Sequence, residues 1–470
     1  MTRTKIVCTI GPASSSPERI EGLIEAGMDV ARLNFSHGSL EDHGRTIEII
    51  REAAARAGRP VAILQDLAGP KIRIGPIEEG PVLLETGATF TLTARVVVGN
   101  AERVSVSYRG LPGDVRVGDP LLLADGAIEL AVLRVDGDEI LCRVVVGGPL
   151  TSRKGINLPT RTIQAPILTA KDLEDLAFGA ERNVDYVALS FVRNREDVEI
   201  ARAALRKTGA SIPLIAKIEK HEAVDRFDEI LPVVNGVMIA RGDLGVEIPI
   251  ERVPEVQKRL IGRSNRAGAP VITATQMLRS MVENPRPTRA EVTDVANAIL
   301  DGTDAVMLSE ETAVGRYPVE AVRMMKRIAV ETERMFPHKE WMLRFDRRGT
   351  MTPEEAVAIG ACQMAEKVRA CAIVTHTVSG STTRLVARYR PRHPILALTP
   401  DESTWRRLAL VWGVIPKRVD GGNTESDLVA STLEQVRNAG FAKPGQAVVI
   451  TAGMPLYEPG TTNWIRVATL

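Results

Sequence analysis

The chain is short of several things, and each shortage excludes a class of protein. It has four cysteines in 470 residues, and Cys8, Cys142, Cys362 and Cys371 form neither a CxxC pair nor a zinc-ligand spacing. Buried, reduced thiols are therefore expected rather than a disulfide framework. Net charge is almost absent: 60 basic against 59 acidic side chains leave +1. A nucleic-acid partner would call for a strongly basic face. No apolar run approaches the roughly 20 residues that cross a bilayer, so no membrane partner is expected. No GxxxxGK[ST] loop is present, which argues against a P-loop. His221-Glu222 lacks a second histidine four residues on and is not a zinc-protease motif. The first strand-like segment, Lys5–Ile10, begins too early for a signal peptide, so a cytoplasmic location is expected.

What the chain does have is a series of apolar runs that end abruptly in polar or charged residues. Val30-Ala31 leads to Arg32 and Asn34, and the run 61–64 to Asp66. The run 213–216 leads to Lys217 and Glu219, and 237–240 to Arg241 and Asp243. The run 271–274 leads to Thr275, and 305–308 to Ser309. The later runs recur about every thirty residues with helix-like segments between them, the period of a parallel βα barrel. Such barrels carry their chemistry at the carboxyl ends of the strands. Three strands precede residue 69 and five follow residue 165, which makes eight.

Between them the helical periodicity vanishes. Short alternating runs are separated by Gly-Asp, Asp-Gly and Gly-Gly dipeptides, as expected of antiparallel strands and turns. Gly69-Pro70 and Leu158-Pro159 are candidate hinges. Beyond a charged, helix-poor linker at 341–352, strands and helices alternate again, as in a doubly wound sheet. The expectation is an α/β protein. Residues 1–68 and 166–340 form a (β/α)8 barrel, 69–165 an inserted small β-barrel lid domain, and 341–470 a C-terminal doubly wound α/β domain.

Lys217-Ile-Glu219 followed by Arg241-Gly-Asp243 is the strongest local signal. Two carboxylates from neighbouring strands suit Mg²⁺, which keeps water and substrate oxygens as its other ligands. An adjacent lysine supplies charge for a phosphate or a developing enolate; a salt bridge at the barrel rim would use the same residues. Arg32 offers a fork for phosphate. Asn34, Ser36 and Asp66 offer oxygen ligands for a cation, although each residue type is also a common cap or turn former. Thr377, Ser379, Gly380, Ser381 and Thr382 stand where a strand passes into a helix, an arrangement that serves either an anion site or ordinary capping. Arg384, Arg388, Arg390 and Arg392 follow closely and favour a phosphorylated ligand.

These residues lie in long motifs. They are TKIVCTIGP at residues 4–12, MDVARLNFSHG at 28–38, DLAGPKIR at 66–73, SRKGINLP at 152–159, IAKIEK at 215–220, MIARGDLGVEIP at 238–249 and the stretch 272–312 from ITATQ to SEET. In them the chain resembles the pyruvate kinases of bacterial type, almost from end to end. The resemblance implies a TIM barrel with a lid and an effector domain, and phosphoryl transfer from phosphoenolpyruvate to ADP, giving pyruvate and ATP. It implies that Glu219 and Asp243 bind Mg²⁺ or Mn²⁺, and that Lys217 and Arg32 contact the transferring group. Gly242, Asp243 and Thr275 would bind substrate, with Thr275 on the route by which the enolate carbon is protonated. Arg73, Lys154 and the stretch Asn34, Phe35, Ser36 and His37 would bind nucleotide. Asn34, Ser36, Asp66 and the Leu67 carbonyl match the family's monovalent-cation pocket. Lys71 stands where potassium-requiring members carry glutamate, so K⁺ is expected not to be required. Thr377 to Thr382 would bind a sugar phosphate or AMP, with residues 453–463 closing over it, and the enzyme would be a homotetramer. Two rivals share some of this pattern: another barrel enzyme acting on pyruvate or phosphoenolpyruvate, and a metabolite sensor that has lost catalysis.

Overall fold

A computed structural model describes residues 2–470 except 79, 161, 347–349, 421–423, 442, 456, 457 and 459. Eight parallel strands close into a barrel: Lys5–Ile10, Val30–Asn34, Ala62–Asp66, Tyr186–Leu189, Leu214–Ile218, Gly236–Ala240, Val271–Ala274 and Ala305–Leu308. The last pairs with the first, Lys5 opposite Ala305, which completes the ring.

Strand side chains alternate between faces, and here the alternation sorts the core. Val7, Val30, Leu64, Ala188, Ile215, Met238 and Ile272 pack together inside the barrel. Their neighbours Cys8, Ala31, Ile63, Leu189, Ala216, Ile239 and Val271 face the surrounding helices. Continuing the inward series past each strand's last apolar residue reaches Thr9, Arg32, Asp66, Ser190, Lys217 and Gly242. Burial of the apolar strand thus fixes which polar side chains meet at the mouth.

The insertion after the third barrel strand has its own core, including Phe90, Leu92, Leu121, Leu130, Ile140 and Val144. Six of its strands form a sheet whose edges are Ile156–Asn157 and Arg103–Ser105. Arg73 bridges to Gly155 beside one edge and Ile74 to Val106 beside the other, so a two-residue segment closes the small barrel. At the start of the insertion, Gly69 has φ +64°, and a Cβ there would stand 3.0 Å from Ser190 Cβ; glycine meets both demands. Its N–H donates to Asp172 Oδ1 at 3.1 Å. Asp172 also closes a capping box with Thr169 at the start of helix Ala170–Glu181.

The C-terminal sheet contains parallel strands Ile373–His376, Ile395–Thr399, Val414–Arg418 and Ala447–Gly453, with Thr462–Thr469 antiparallel at one edge. Residues 341–352, expected to be helix-poor, instead begin within helix His338–Asp346. Trp341 and Phe345, four apart on one helical face, are buried and give the segment its reason to be helical. Ala409 and Leu410 of this domain join the cluster inside the barrel, so the domain plugs the end opposite the mouth. Cys8, Cys142 and Cys362 are buried and Cys371 is half-buried, all four as free thiols. No described helix is long and apolar enough to cross a membrane.

Candidate active site

A cleft of about 1650 Å³ opens at the carboxyl ends of the barrel strands. Arg32, Asn34, His37, Lys71, Lys217, Glu219, Gly242, Asp243 and Thr275 all line it. At its floor, Lys217 Nζ lies 3.1 Å from Asp66 Oδ1 and 2.9 Å from Glu219 Oε1, and donates to Ser190 Oγ at 2.7 Å. Arg32 Nε bonds the other oxygen of Asp66 at 2.6 Å, and its Nη1 donates to Thr9 Oγ1 at 2.9 Å. Two cations thus share one buried aspartate, and both keep a face toward the cleft.

The charge states follow from this packing. Burial works against the Lys217 ammonium, but Asp66 and Glu219 outweigh it and hold the pKa well above the ordinary lysine value. Burial likewise opposes ionisation of Asp66, yet Lys217 and Arg32 keep its carboxyl below the usual range. Glu219 goes the other way. Burial pushes its carboxyl up, Lys217 opposes this, and repulsion from Asp243 adds to it. A backbone N–H from Phe191 donates to Glu219 Oε2 at 2.8 Å and fixes its direction. A buried carboxylate facing a second carboxylate is a donor set that welcomes a hard divalent cation.

Asp243 and Gly242 stand in the first turn of helix Arg241–Glu247. By alternation Thr275 should point outward, since Ile272 and Ala274 belong to the inner series. Instead φ is +72° at Thr275 and +55° at Gln276, and this left-handed turn brings Thr275 into the cleft. Its hydroxyl accepts a 2.7 Å hydrogen bond from Gly242 N–H. Arg241 secures the turn from behind, donating to the Thr275 carbonyl at 2.7 Å and to Asp294 at 2.7 Å.

Other expected residues are less simply disposed. Lys71 Nζ reaches Asp243 Oδ1 at 3.2 Å. The Leu67 carbonyl accepts from Ser190 Oγ at 2.8 Å, and Asn34 Oδ1 from Ser36 N–H at 3.2 Å. Phe35 turns inward, with its ring stacked on His43 at 4.0 Å. Its carbonyl accepts from Lys171 Nζ at 2.9 Å. Arg73 and Lys154 belong to the lid and are absent from the cleft wall, as are Phe35, Ser36, Asp66 and Leu67. Ser190 and Thr9, which orient Lys217 and Arg32, went unnoticed in the sequence. They carry the same signal as the rest, a polar residue closing an apolar strand.

A second cleft, of about 640 Å³, lies in the C-terminal domain and brings together Thr377, Ser379, Ser381 and Thr382 with His376 and Thr462. Gly380 N–H donates to Thr377 Oγ1 at 2.9 Å, and the hydroxyls of Thr382 and Thr462 are 2.6 Å apart. The expected closing segment 453–463 lies partly outside the described residues, at 456, 457 and 459. None of the arginines that follow lines this cleft, although Arg384 Nη1 donates to the Ser379 carbonyl at 3.2 Å. Arg388 pairs with Glu355 at 2.8 Å, and Arg390 is buried against Asp304 at 2.9 Å.

The pyruvate kinase barrel-domain family model matches residues 1–322, and the pyruvate kinase alpha/beta-domain model matches 355–468. The pyruvate kinase of Geobacillus stearothermophilus is 50% identical over 468 residues, spanning 99% of this chain and 80% of that protein. That of Clostridium acetobutylicum is 43% identical over 469 residues and 99% of both chains. That of Staphylococcus aureus strain MRSA252 is 47% identical over 469 residues, 99% of this chain and 80% of its own. The likeness takes in the barrel, the lid and the C-terminal sheet alike, and the chain belongs to the pyruvate kinase family.

Proposed function

We propose that the cleft at the barrel mouth transfers the phosphoryl group of phosphoenolpyruvate to ADP, giving pyruvate and ATP. The observation that carries this is Lys217, a buried ammonium held charged by Asp66 and Glu219. Arg32 and Lys217 grip the phosphoryl group. As the bond between phosphorus and the enol oxygen breaks, negative charge grows on that oxygen, and the fixed charge of Lys217 stabilises it without reorganisation. The Gly242 N–H and the Thr275 hydroxyl hold the substrate carboxylate, exchanging their mutual bond for it. The enolate carbon then takes its proton on the side of Thr275. No nucleophilic side chain is needed, because phosphoryl transfer depends on positioning and charge neutralisation.

Glu219 and Asp243 would hold Mg²⁺ or Mn²⁺, which supplies positive charge beside the phosphoryl and enolate oxygens. Arg73, Lys154 and the loop Asn34–His37 bind nucleotide once the lid swings about Gly69-Pro70 and Leu158-Pro159, which also excludes water. Within that loop Phe35 packs its ring inward on His43, which leaves its backbone to face the nucleotide. Lys71 supplies the cationic charge for which other members use K⁺, supported by its approach to Asp243.

The test is pyruvate formation from phosphoenolpyruvate, ADP and Mg²⁺ in K⁺-free buffer. Turnover is expected, and Lys217→Met should lower kcat about a hundred- to a thousandfold, as loss of a preorganised stabilising group does. Wild-type turnover that appears only with K⁺ would remove the role given to Lys71. Equal rates in wild type and variant would remove the mechanism.

The second cleft takes a phosphorylated activator. Its described lining is hydroxyl-rich, holds Asp420 and Glu458, and includes no lysine or arginine. That favours a sugar monophosphate or AMP over a bisphosphate. Such a ligand should lower the half-saturating phosphoenolpyruvate concentration in wild type and have no effect in a Ser381→Ala, Thr382→Ala double variant. An unmoved wild-type curve with every candidate would refute the proposal. A cytoplasmic homotetramer belongs to the same proposal, and sedimentation equilibrium showing a monomer would overturn that part.

A further inference from the structure

One cluster outside the cleft has ligand chemistry that the reaction does not use. His221 and Glu222 open the helix His221–Asp225, and Glu247 closes the helix Arg241–Glu247. One side-chain ligand atom from each lies within 4.8 Å of the others. Glu222 is 5% exposed and Glu247 3% exposed. His221 Nδ1 stands 3.2 Å from Glu222 Oε2 and 3.5 Å from Glu247 Oε2, yet hydrogen-bonds to neither.

Glu222 supplies an independent observation. Both of its carboxylate oxygens are buried without a hydrogen-bond partner. A buried carboxylate is costly unless it is paired or coordinates a metal, and an unsatisfied one calls for a water or an ion. The nearby Arg193 and Lys220 are committed elsewhere. Arg193 forks onto Asp197, with bonds of 2.9 and 2.8 Å, and donates to the Ala165 carbonyl at 3.1 Å. Lys220 Nζ lies 2.7 Å from Glu247 Oε2. That oxygen has two lone pairs, so the ammonium leaves one acceptor site on it. Glu247 Oε1 accepts from Asn157 Nδ2 at 2.9 Å.

We propose that His221, Glu222 and Glu247 form a second divalent-cation site, distinct from the Glu219–Asp243 pair and suited to Zn²⁺, Co²⁺ or Ni²⁺. One imidazole nitrogen with two carboxylates matches borderline ions, whereas Mg²⁺ favours oxygen ligands and keeps its waters. Asn157 belongs to the lid strand Ile156–Asn157. Glu247 belongs to the helix that carries Gly242 and Asp243. An ion bound here ties the root of the lid to the substrate-binding helix.

The full-length protein, saturated with Mg²⁺, is titrated with Co²⁺ and followed by visible absorption and calorimetry. One Co²⁺ per chain is expected, with the spectrum of a mixed nitrogen and oxygen ligand set. Affinity should fall more than about tenfold, the least that loss of a direct ligand should cost, in both Glu222→Gln and His221→Ala. Both variants should keep Mg²⁺-supported turnover, which separates this outcome from a failure of the proposed reaction. Binding of unchanged affinity in the variants would overturn the site. So would Co²⁺ uptake that Mg²⁺ abolishes in wild type. Should Glu222→Gln fail to fold, His221→Ala decides, because its side chain is a quarter exposed.

Discussion

His376 is the clearest pH-sensitive residue away from the barrel-mouth cleft. It closes the strand Ile373–His376, lines the C-terminal cleft and shares a 2.7 Å hydrogen bond with Thr432 Oγ1. Burial disfavours its charged form and pushes its pKa down to about 4. As pH falls through the ordinary value near 6.5, the unfolded chain takes up a proton that the folded chain refuses. The contribution to stability is therefore full above pH ~6.5 and is lost progressively toward pH ~4, on the order of 1–2 kcal/mol given the side chain's partial exposure. Chemical denaturation at pH 7 and pH 5 checks this: His376→Gln should be less sensitive to acid than wild type, and parallel losses would refute it. At this scale the catalytic cleft was largely legible, because inward alternation along buried strands delivers Arg32, Asp66 and Lys217 to the mouth. Thr275 was legible as the polar residue that follows the apolar run 271–274, but not in its direction. Alternation alone sends it the wrong way, and only the left-handed turn at Thr275 and Gln276 re-aims it. The arginines after Thr382 misled because charge was read without direction; Arg388, at the end of its helix, and Arg390, beyond it, reach barrel residues Arg266 and Asp304.

Among the elements, helix Arg289–Asp301 ends where three pieces of the molecule meet. Its cap, Gly302, has φ +98°, and a Cβ there would stand 2.0 Å from the Trp341 ring. The Gly302 carbonyl accepts from Asn265 at 2.9 Å and from Arg390 at 2.7 Å. Gly302→Ala should cost about 2–4 kcal/mol, combining left-handed strain with overpacking against an indole, and thermal unfolding should register it as a lower Tm. The double variant Gly302→Ala, Trp341→Leu should recover part of the loss; no recovery would show that backbone strain alone is responsible. The same contact explains the missed helix His338–Asp346. Its polar residues look like a linker until Trp341 and Phe345 are given something to pack on. The edge strand Thr462–Thr469 was missed for a related reason. Its exposed Asn463 and Arg466 dilute the apolar alternation, and pairing with Ala447–Gly453 settles its conformation. The eight barrel strands needed less context, since each is built on a short apolar run.

For the whole molecule, the question is what fixes the C-terminal domain against the barrel. Arg390 is fully buried, with Nη1 on Asp304 Oδ1 at 2.9 Å and Nη2 on Asn265 Oδ1 at 2.8 Å; its guanidinium lies 4.8 Å from the Trp412 ring centre. Asp304 Oδ2 in turn accepts from Val271 N–H at 3.0 Å, at the start of the strand that ends beside Thr275. Helix Ser381–Arg388 begins in the hydroxyl-rich loop and ends two residues before Arg390. One connected path therefore runs from the proposed effector cleft, through helix Ser381–Arg388, Arg390 and Asp304, to the base of a strand that ends at the barrel-mouth cleft. Arg390→Met should cost about 3–5 kcal/mol, because it strands the buried carboxylate of Asp304. Adding Asp304→Asn should return much of that, and the cycle measures the coupling. If the path also transmits binding, the double variant, once stable, should keep basal turnover and lose activation by a sugar phosphate. Activation that survives intact would leave Arg390 as a structural pin and move the link between the clefts to another contact, such as Ala409 and Leu410 inside the barrel.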